Sequence, residues 1–321
     1  MAIYFAPIAR LLGDLIVSLP PLQSLIASGE EVYLIERSSS QCGLAGRIPG
    51  LAGSIKETDF LKMNLDRSSC FVNLRDHPLQ TDYIWGSREF ETKYPAYRIA
   101  EIVREISLSF GITYAAMNMV PLKVIPRYED QGKTVLIPGT ASPIKKWPTE
   151  YWIELFNMLS ASGQECLLLG EPEQSVQIAE LIEAGLPWKA TPLLCDALDM
   201  VSSAKQVVSV DTGLMHLAVH QGIQTVALFR EYITFLREFP HATNLVAPPC
   251  SASCLSSCKQ EEFSASPNAS VVYDDWNHDA GSAYWANLSC IGSKGSRCMD
   301  FITPETVWNA LAARKLMASK I

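Results

Sequence analysis

The segment with the most chemical content is Asp211-Thr212-Gly213-Leu214-Met215-His216, which follows a β-like run, residues 206–210, and opens a helix through Leu217 and Ala218. The first N–H groups of such a helix have no intrahelical partner, so they face whatever anion occupies the helix mouth. Gly213 would let a diphosphate approach the backbone, and His216 can donate to a phosphate oxygen or fix the loop. Asp14, in the turn Gly13-Asp14 after the opening strand, is placed where the helix macrodipole favours a carboxylate; it can accept a proton from an attacking hydroxyl or simply stabilise its helix. The turn from Pro138 to Pro148 contains Gly139, Thr140, Lys145 and Lys146, a combination suited to phosphate, although an ordinary polar loop reads the same way. In Gly170-Glu171-Pro172-Glu173, Glu173 is either an acceptor for a ribose diol or part of a solvated acidic turn.

These segments need strands to deliver them to one edge. Residues 2–5 and 32–35 read as buried strands, with a helix over 15–28 between them that Pro20-Pro21 should kink. Residues 70–74 form another strand candidate. Residues 97–110 have Ile99, Ile102, Val103 and Ile106 near one helical face. A polar, proline-bearing stretch over 120–133 separates this series from a second one. There, strands are expected over 134–137, 165–169, 190–194, 206–210 and 225–229, and helices over 148–162 and 173–183. Strands alternating with helices imply parallel sheets covered on both faces, and ligands of such sheets bind beyond the carboxyl ends of the strands. The expected organisation is a first α/β domain over 1–125, a second over 133–300, and a closing helix over 301–321 that packs back toward the first. It starts at Thr303-Pro304-Glu305.

The chain has 321 residues, 48% of them apolar and 19% charged, enough for two buried cores. A formal net charge of -8 argues against a general nucleic-acid partner. With no run of about 18 apolar residues and no leader-like start, the expectation is a cytoplasmic protein. Nine cysteines, an odd number, do not suggest a complete disulfide framework there. Cys250, Cys254 and Cys258 lie in a Pro-, Ser- and Asn-rich stretch over 247–300, with Cys290 and Cys298 beyond. Surface thiols are the expectation; a structural metal or a disulfide is the alternative, and the spacing of four lacks a two-residue knuckle.

Gly13-Asp14 with Leu19-Pro20, Lys145-Lys146-Trp147-Pro148, Asp211 through Ala218, and Cys298 through Val307 together resemble the signatures of the ADP-heptose:lipopolysaccharide heptosyltransferase family, in the family's order and across nearly the whole chain. The resemblance implies a GT-B architecture, two Rossmann-like domains facing across a cleft. It implies an inverting transfer of a heptose or related sugar from an ADP-sugar to a lipopolysaccharide core or other envelope glycan. It assigns Asp14 as general base, Thr140 and Lys145 to the donor phosphates, Glu173 to the ribose, and Asp211, Thr212, Gly213 and His216 to the phosphate and sugar loop. No metal or other cofactor is implied at the diphosphate, and a lipid-borne acceptor would bring the protein to the cytoplasmic face of the inner membrane. Two features depart from the pattern. The first domain is short, and Arg230-Glu231 stands where the family tends to have Gly-Pro or Gly-Ser. The alternatives are transfer to a protein acceptor of the autotransporter kind and a non-catalytic sugar-nucleotide-binding module.

Overall fold

The computed structural model describes residues 2–37, 43–66, 68–82, 85, 88–95, 97–115, 119–140, 145–230, 233–248 and 298–318. The first domain alternates β1 (Ala2–Ala6), α1 (Leu12–Ala27), β2 (Glu31–Glu36), β3 (Gly53–Lys56), α2 (Glu57–Phe60), β4 (Cys70–Asn73), α3 (Pro78–Thr81), α4 (Arg88–Lys93) and α5 (Ile99–Ser109). The second holds β5 (Thr134–Ile137), α6 (Thr149–Ala161), β6 (Cys166–Leu168), α7 (Val176–Glu183), α8 (Leu194–Ser203), β7 (Gln206–Val210), α9 (Gly213–His220), β8 (Gln224–Phe229), β9 (Ala242–Val246) and α10 (Pro304–Ala318). The strand orders are β3-β2-β1-β4 and β6-β5-β7-β8-β9, and every pair is parallel. Two doubly covered parallel sheets are the GT-B expectation, and the central strands show why: β5 and β7 are buried at every position, as helices on both faces require.

α1 carries the largest share of the first core. Leu15, Ile16, Leu19 and Leu22 are completely buried, and even Ser18 and Gln23 are covered. A helix apolar around most of its circumference must be enclosed on several sides. Here α5 packs on one side, through Ile99, Ile102, Val103 and Ile106, and α9 of the second domain on another, with Leu217 and Leu198 joining the first-domain core. The helix continues through Pro20 and Pro21, so the expected interruption is absorbed within a single element.

The 120–133 connector is pinned by side chains. Gln23 Nε2 donates to the Val120 carbonyl at 2.7 Å, Leu122 N–H donates to Gln221 Oε1 at 2.7 Å, and Ile125 N–H donates to Asp199 Oδ1 at 2.8 Å. Each bond satisfies a backbone group that has no ladder of its own.

Three expectations change. Residues 190–194 do not form a strand: Thr191 N–H donates to Glu171, Leu193 N–H to Asp196, and Leu194 begins α8. Pro192, lacking an N–H, could not have supported a ladder. Residues 172–174 form a 3-10 turn before α7, so the helix expected from 173 begins at Val176. The described part of the closing helix packs on α6 of the second domain, where Val307 and Leu311 join Trp147, Trp152, Leu155 and Leu159. Trp147 Nε1 donates to the Ile302 carbonyl at 2.7 Å and seals that junction. The edge strands β3 and β9 escape a hydrophobic-run search because most of their residues are partly exposed.

Candidate active site

The carboxyl ends of β1 and β7 meet through the helices that follow them. Gly13, at the start of α1, and Gly213, at the start of α9, lie against each other: a Cβ added to Gly213 would stand 2.7 Å from Leu12 Cβ and 3.0 Å from the Gly13 backbone nitrogen. A Cβ on Gly13 would stand 3.1 Å from His216 Cδ2. The missing side chain at Gly213 therefore admits α1 of the other domain. The space a side chain would occupy is filled by helix contact, and Thr212, Gly213 and Leu214 remain partly exposed at the helix mouth. Gly213→Ala should cost about 1–3 kcal/mol of stability, since the backbone must move. Thermal unfolding of the variant beside the wild type checks this.

Asp14 is set by three local contacts. Its Oδ2 accepts the Leu11 N–H at 2.8 Å, Ser18 Oγ donates to its carbonyl at 2.6 Å, and Ser18 Oγ also accepts the Ile8 N–H at 3.1 Å. Ser18, which sequence reasoning passed over as one more helical residue, thereby ties the loop after β1 to the turn that carries the carboxylate. Desolvation pushes the Asp14 carboxyl up to about 6, against the opposing pull of the Leu11 N–H, Lys145 and Arg75. A carboxyl with that value is deprotonated at neutral pH yet keeps appreciable basicity.

Across the domain contact, Lys145 Nζ lies 2.8 Å from Asp211 Oδ2 and 5.7 Å from the centre of the Phe235 ring. His216 Nε2 lies 3.5 Å from Asp211 Oδ1. Burial opposes ionisation of Asp211, but Lys145 and the His216 ring overcome it and hold the carboxyl far below the usual range. His216 is held below its usual value by burial, with Arg237 adding to the effect and Asp211 opposing it. The Asp211 carboxylate, the Lys145 ammonium and a neutral His216 thus form one unit at the mouth of α9.

Of the eight residues singled out from the sequence, Asp14, Lys145, Asp211, Gly213 and His216 converge here. Thr212 is the cap of α9, and Thr140 lies three residues past β5, half-buried. Glu173 is exposed on its 3-10 turn, whereas its neighbour Glu171 accepts from Thr191 N–H at 2.6 Å and Thr191 Oγ1 at 3.1 Å. Arg230, the departure noted after β8, is 1% exposed. Cys250, Cys254, Cys258 and Cys290 fall outside the described residues; Cys298 is buried in the second core. Sequence reasoning missed Phe235 and Arg237, and also a trio at the first sheet's carboxyl edge. In that trio Arg10 and Arg37 share Glu57, at 3.2 and 3.5 Å, and Arg75 is lowered to about 10 by desolvation and by the two other guanidiniums. Each of these arginines follows a different strand, so only the fold brings them together.

Glycosyltransferase family 9 (heptosyltransferase) matches residues 73–245, more than half of the chain. The chain belongs to that family. The matched segment contains Thr140, Lys145, Glu173 and the whole Asp211–His216 loop; Asp14 lies ahead of it. Lipopolysaccharide heptosyltransferase 1 of Escherichia coli is 35% identical over 103 residues, a stretch covering 31% of this chain and only 30% of that relative's length. Among solved structures, the family 9 glycosyltransferase from Veillonella parvula is similar with a TM-score of 0.63 and 14% identity, over 97% of this chain and 96% of the other. The E. coli heptosyltransferase WaaC with ADP-2-deoxy-2-fluoro heptose gives 0.57 and 17%, over 82% and 98%. The iron-containing dodecameric glycosyltransferase TibC from enterotoxigenic E. coli gives 0.61 and 14%, over 100% and 77%. These structural likenesses establish the fold as GT-B. No helix among the described residues is long and apolar enough to cross a membrane.

Proposed function

We propose that the protein is an inverting glycosyltransferase that moves a heptose or a related sugar from an ADP-sugar to a hydroxyl of a lipopolysaccharide core or another envelope glycan. The observation that carries this reading is Asp14, with its carboxyl at about 6, facing the Lys145–Asp211 pair across the domain contact. Asp14 takes the proton of the acceptor hydroxyl as its oxygen attacks the anomeric carbon. The bond from that carbon to the diphosphate oxygen breaks on the opposite face, and the Lys145 ammonium with the α9 N–H groups stabilises the charge gathering there. A single displacement of this kind inverts the anomeric centre. Asp211 orients the ammonium, and fixed dipoles with Lys145 do the work that a divalent cation does elsewhere, so no metal is assigned to the diphosphate. Family membership and the ADP-sugar complexes of structural neighbours support the donor class. We place the reaction in the cytoplasm, at the inner membrane when the acceptor is lipid-borne.

A panel of ADP-, GDP- and UDP-sugars tests this. An ADP-sugar at about a hundred times its Kd should stabilise the protein by about 2.7 kcal/mol, a shift of a few degrees in Tm, and should be hydrolysed slowly without acceptor. If none of the three nucleotide classes shifts Tm, the donor assignment is lost. A second reading, transfer to a protein acceptor, draws on the likeness to iron-containing TibC over the full chain and on Cys250, Cys254 and Cys258 in the sequence. Bound iron in protein purified under reducing conditions, together with labelling of a polypeptide instead of a glycan, would favour it.

A further inference from the structure

Arg237 is a charge in an expensive place. It is 2% exposed, and among the described residues no carboxylate lies within ion-pair distance of it and its Nε has no hydrogen-bond partner. The guanidinium rests 5.0 Å from the centre of the Phe239 ring and reaches Met119 Sδ at 3.7 Å. Burying a cation without a counter-ion is unfavourable, and an apolar side chain of similar length would fill the same space more readily. One close polar contact remains, from Nη1 to His216 Nδ1 at 3.2 Å.

That contact dictates the state of the histidine. A guanidinium has donors and no acceptor, so His216 Nδ1 must offer its lone pair. The single proton of a neutral imidazole then sits on Nε2, which faces Asp211 Oδ1. Asp211 in turn places its other oxygen on Lys145. Of the charged groups acting on His216, Arg237 and Lys145 disfavour a second ring proton and Asp211 favours it, while burial favours the neutral ring. Gly13 of α1 covers the ring edge at Cδ2.

We propose that Arg237 is a positioning residue for sugar transfer: it fixes His216 as the neutral Nε2–H tautomer, which supports Asp211 and so aims Lys145. The backbone around Arg237 is held from two sides. Asn244 Nδ2 donates to the Arg237 carbonyl at 2.9 Å. Glu91 of the first domain accepts from Ile233 N–H, Thr234 N–H and Thr234 Oγ1 at 3.1, 3.3 and 2.9 Å. The acceptor-side domain therefore sets where the arginine stands.

The proposal rests on the glycosyltransferase reading, but its first test does not. In protein labelled with 15N-histidine and folded at neutral pH, His216, assigned by its absence from His216→Gln, should show a pyridine-type Nδ1 and a pyrrole-type Nε2. Arg237→Met, which frees Nδ1 to take a proton while Asp211 still accepts from Nε2, should shift Nδ1 from pyridine-type toward pyrrole-type, and Arg237→Lys, which still donates, should keep the wild-type pattern. The opposite tautomer in the wild type, or an unchanged one in Arg237→Met, overturns the proposal whether or not any sugar is transferred. Where an ADP-sugar is turned over, Arg237→Met should lower kcat about tenfold in the wild type but less than about threefold in the His216→Gln background, whose amide can donate to Asp211 unaided. Equal losses in both backgrounds would show that Arg237 acts independently of His216.

Discussion

Asp14→Asn is expected to lower kcat for transfer by roughly 10²–10⁴-fold, the range over which a positioned base contributes, with donor binding unchanged. The amide oxygen can still accept the Leu11 N–H, so the turn keeps its shape while the proton acceptor is gone. For the wild type, kcat/KM should rise as pH passes about 6 and then level, because only the deprotonated carboxyl is a base. The same raised value bears on stability. The folded protein holds this proton more tightly than the unfolded chain, whose carboxyl titrates near 3.8. Stability is therefore lost as pH climbs from about 4 through about 6, and the cost is fully present above that. Asn removes the cost, so the variant should be more stable at pH 8 by at most about 3 kcal/mol, with a smaller difference at pH 5. Denaturant unfolding at the two pH values checks the sign. Transfer at the wild-type rate by Asp14→Asn would remove this residue from the role of base.

Lys145→Ala should be nearly as damaging, by a different route. Removing a preorganised cation from the leaving diphosphate is worth about 10²–10³ in kcat. Donor affinity should fall as well, which separates this variant from Asp14→Asn. Asp211 would lose the Lys145 ammonium that lies 2.8 Å from its Oδ2, leaving a buried carboxylate less well compensated. The side chain of Lys145 is 26% exposed, so solvent softens the penalty, and a loss of about 1–3 kcal/mol at neutral pH is expected. The depressed Asp211 carboxyl contributes stability above the value it has in the unfolded chain and loses it as pH falls. The variant's deficit should therefore persist from pH 7 to pH 5 and shrink only below about pH 4, near the ordinary value of the carboxyl, which unfolding curves at pH 7 and pH 3 would show. A variant that binds donor like the wild type would indicate that the helix mouth alone holds the diphosphate.

The sequence alone was sufficient for the alternation of strands and helices, because buried parallel strands such as Thr134–Ile137 and Gln206–Val210 read as short apolar runs. The Asp211–His216 loop and Asp14 were legible for a related reason: each sits on a strand-to-helix turn, where a local pattern marks the carboxyl edge of a sheet. Strands with half-exposed edges were illegible, and residues 190–194 misled because their backbone groups are satisfied by Glu171 and Asp196 rather than by a neighbouring strand. What only the tertiary structure decided is which groups face each other. Asp14 and Lys145 are far apart in sequence and come within electrostatic reach of each other because Gly13 and Gly213 let two helix starts touch. The same contact gives Gly213 a packing role that the sequence pattern does not encode. Arg237 acquires its meaning only through His216 Nδ1, a contact across 21 residues that no periodicity encodes. Periodicity reports what one element buries; the partner across a domain contact depends on how two finished surfaces fit.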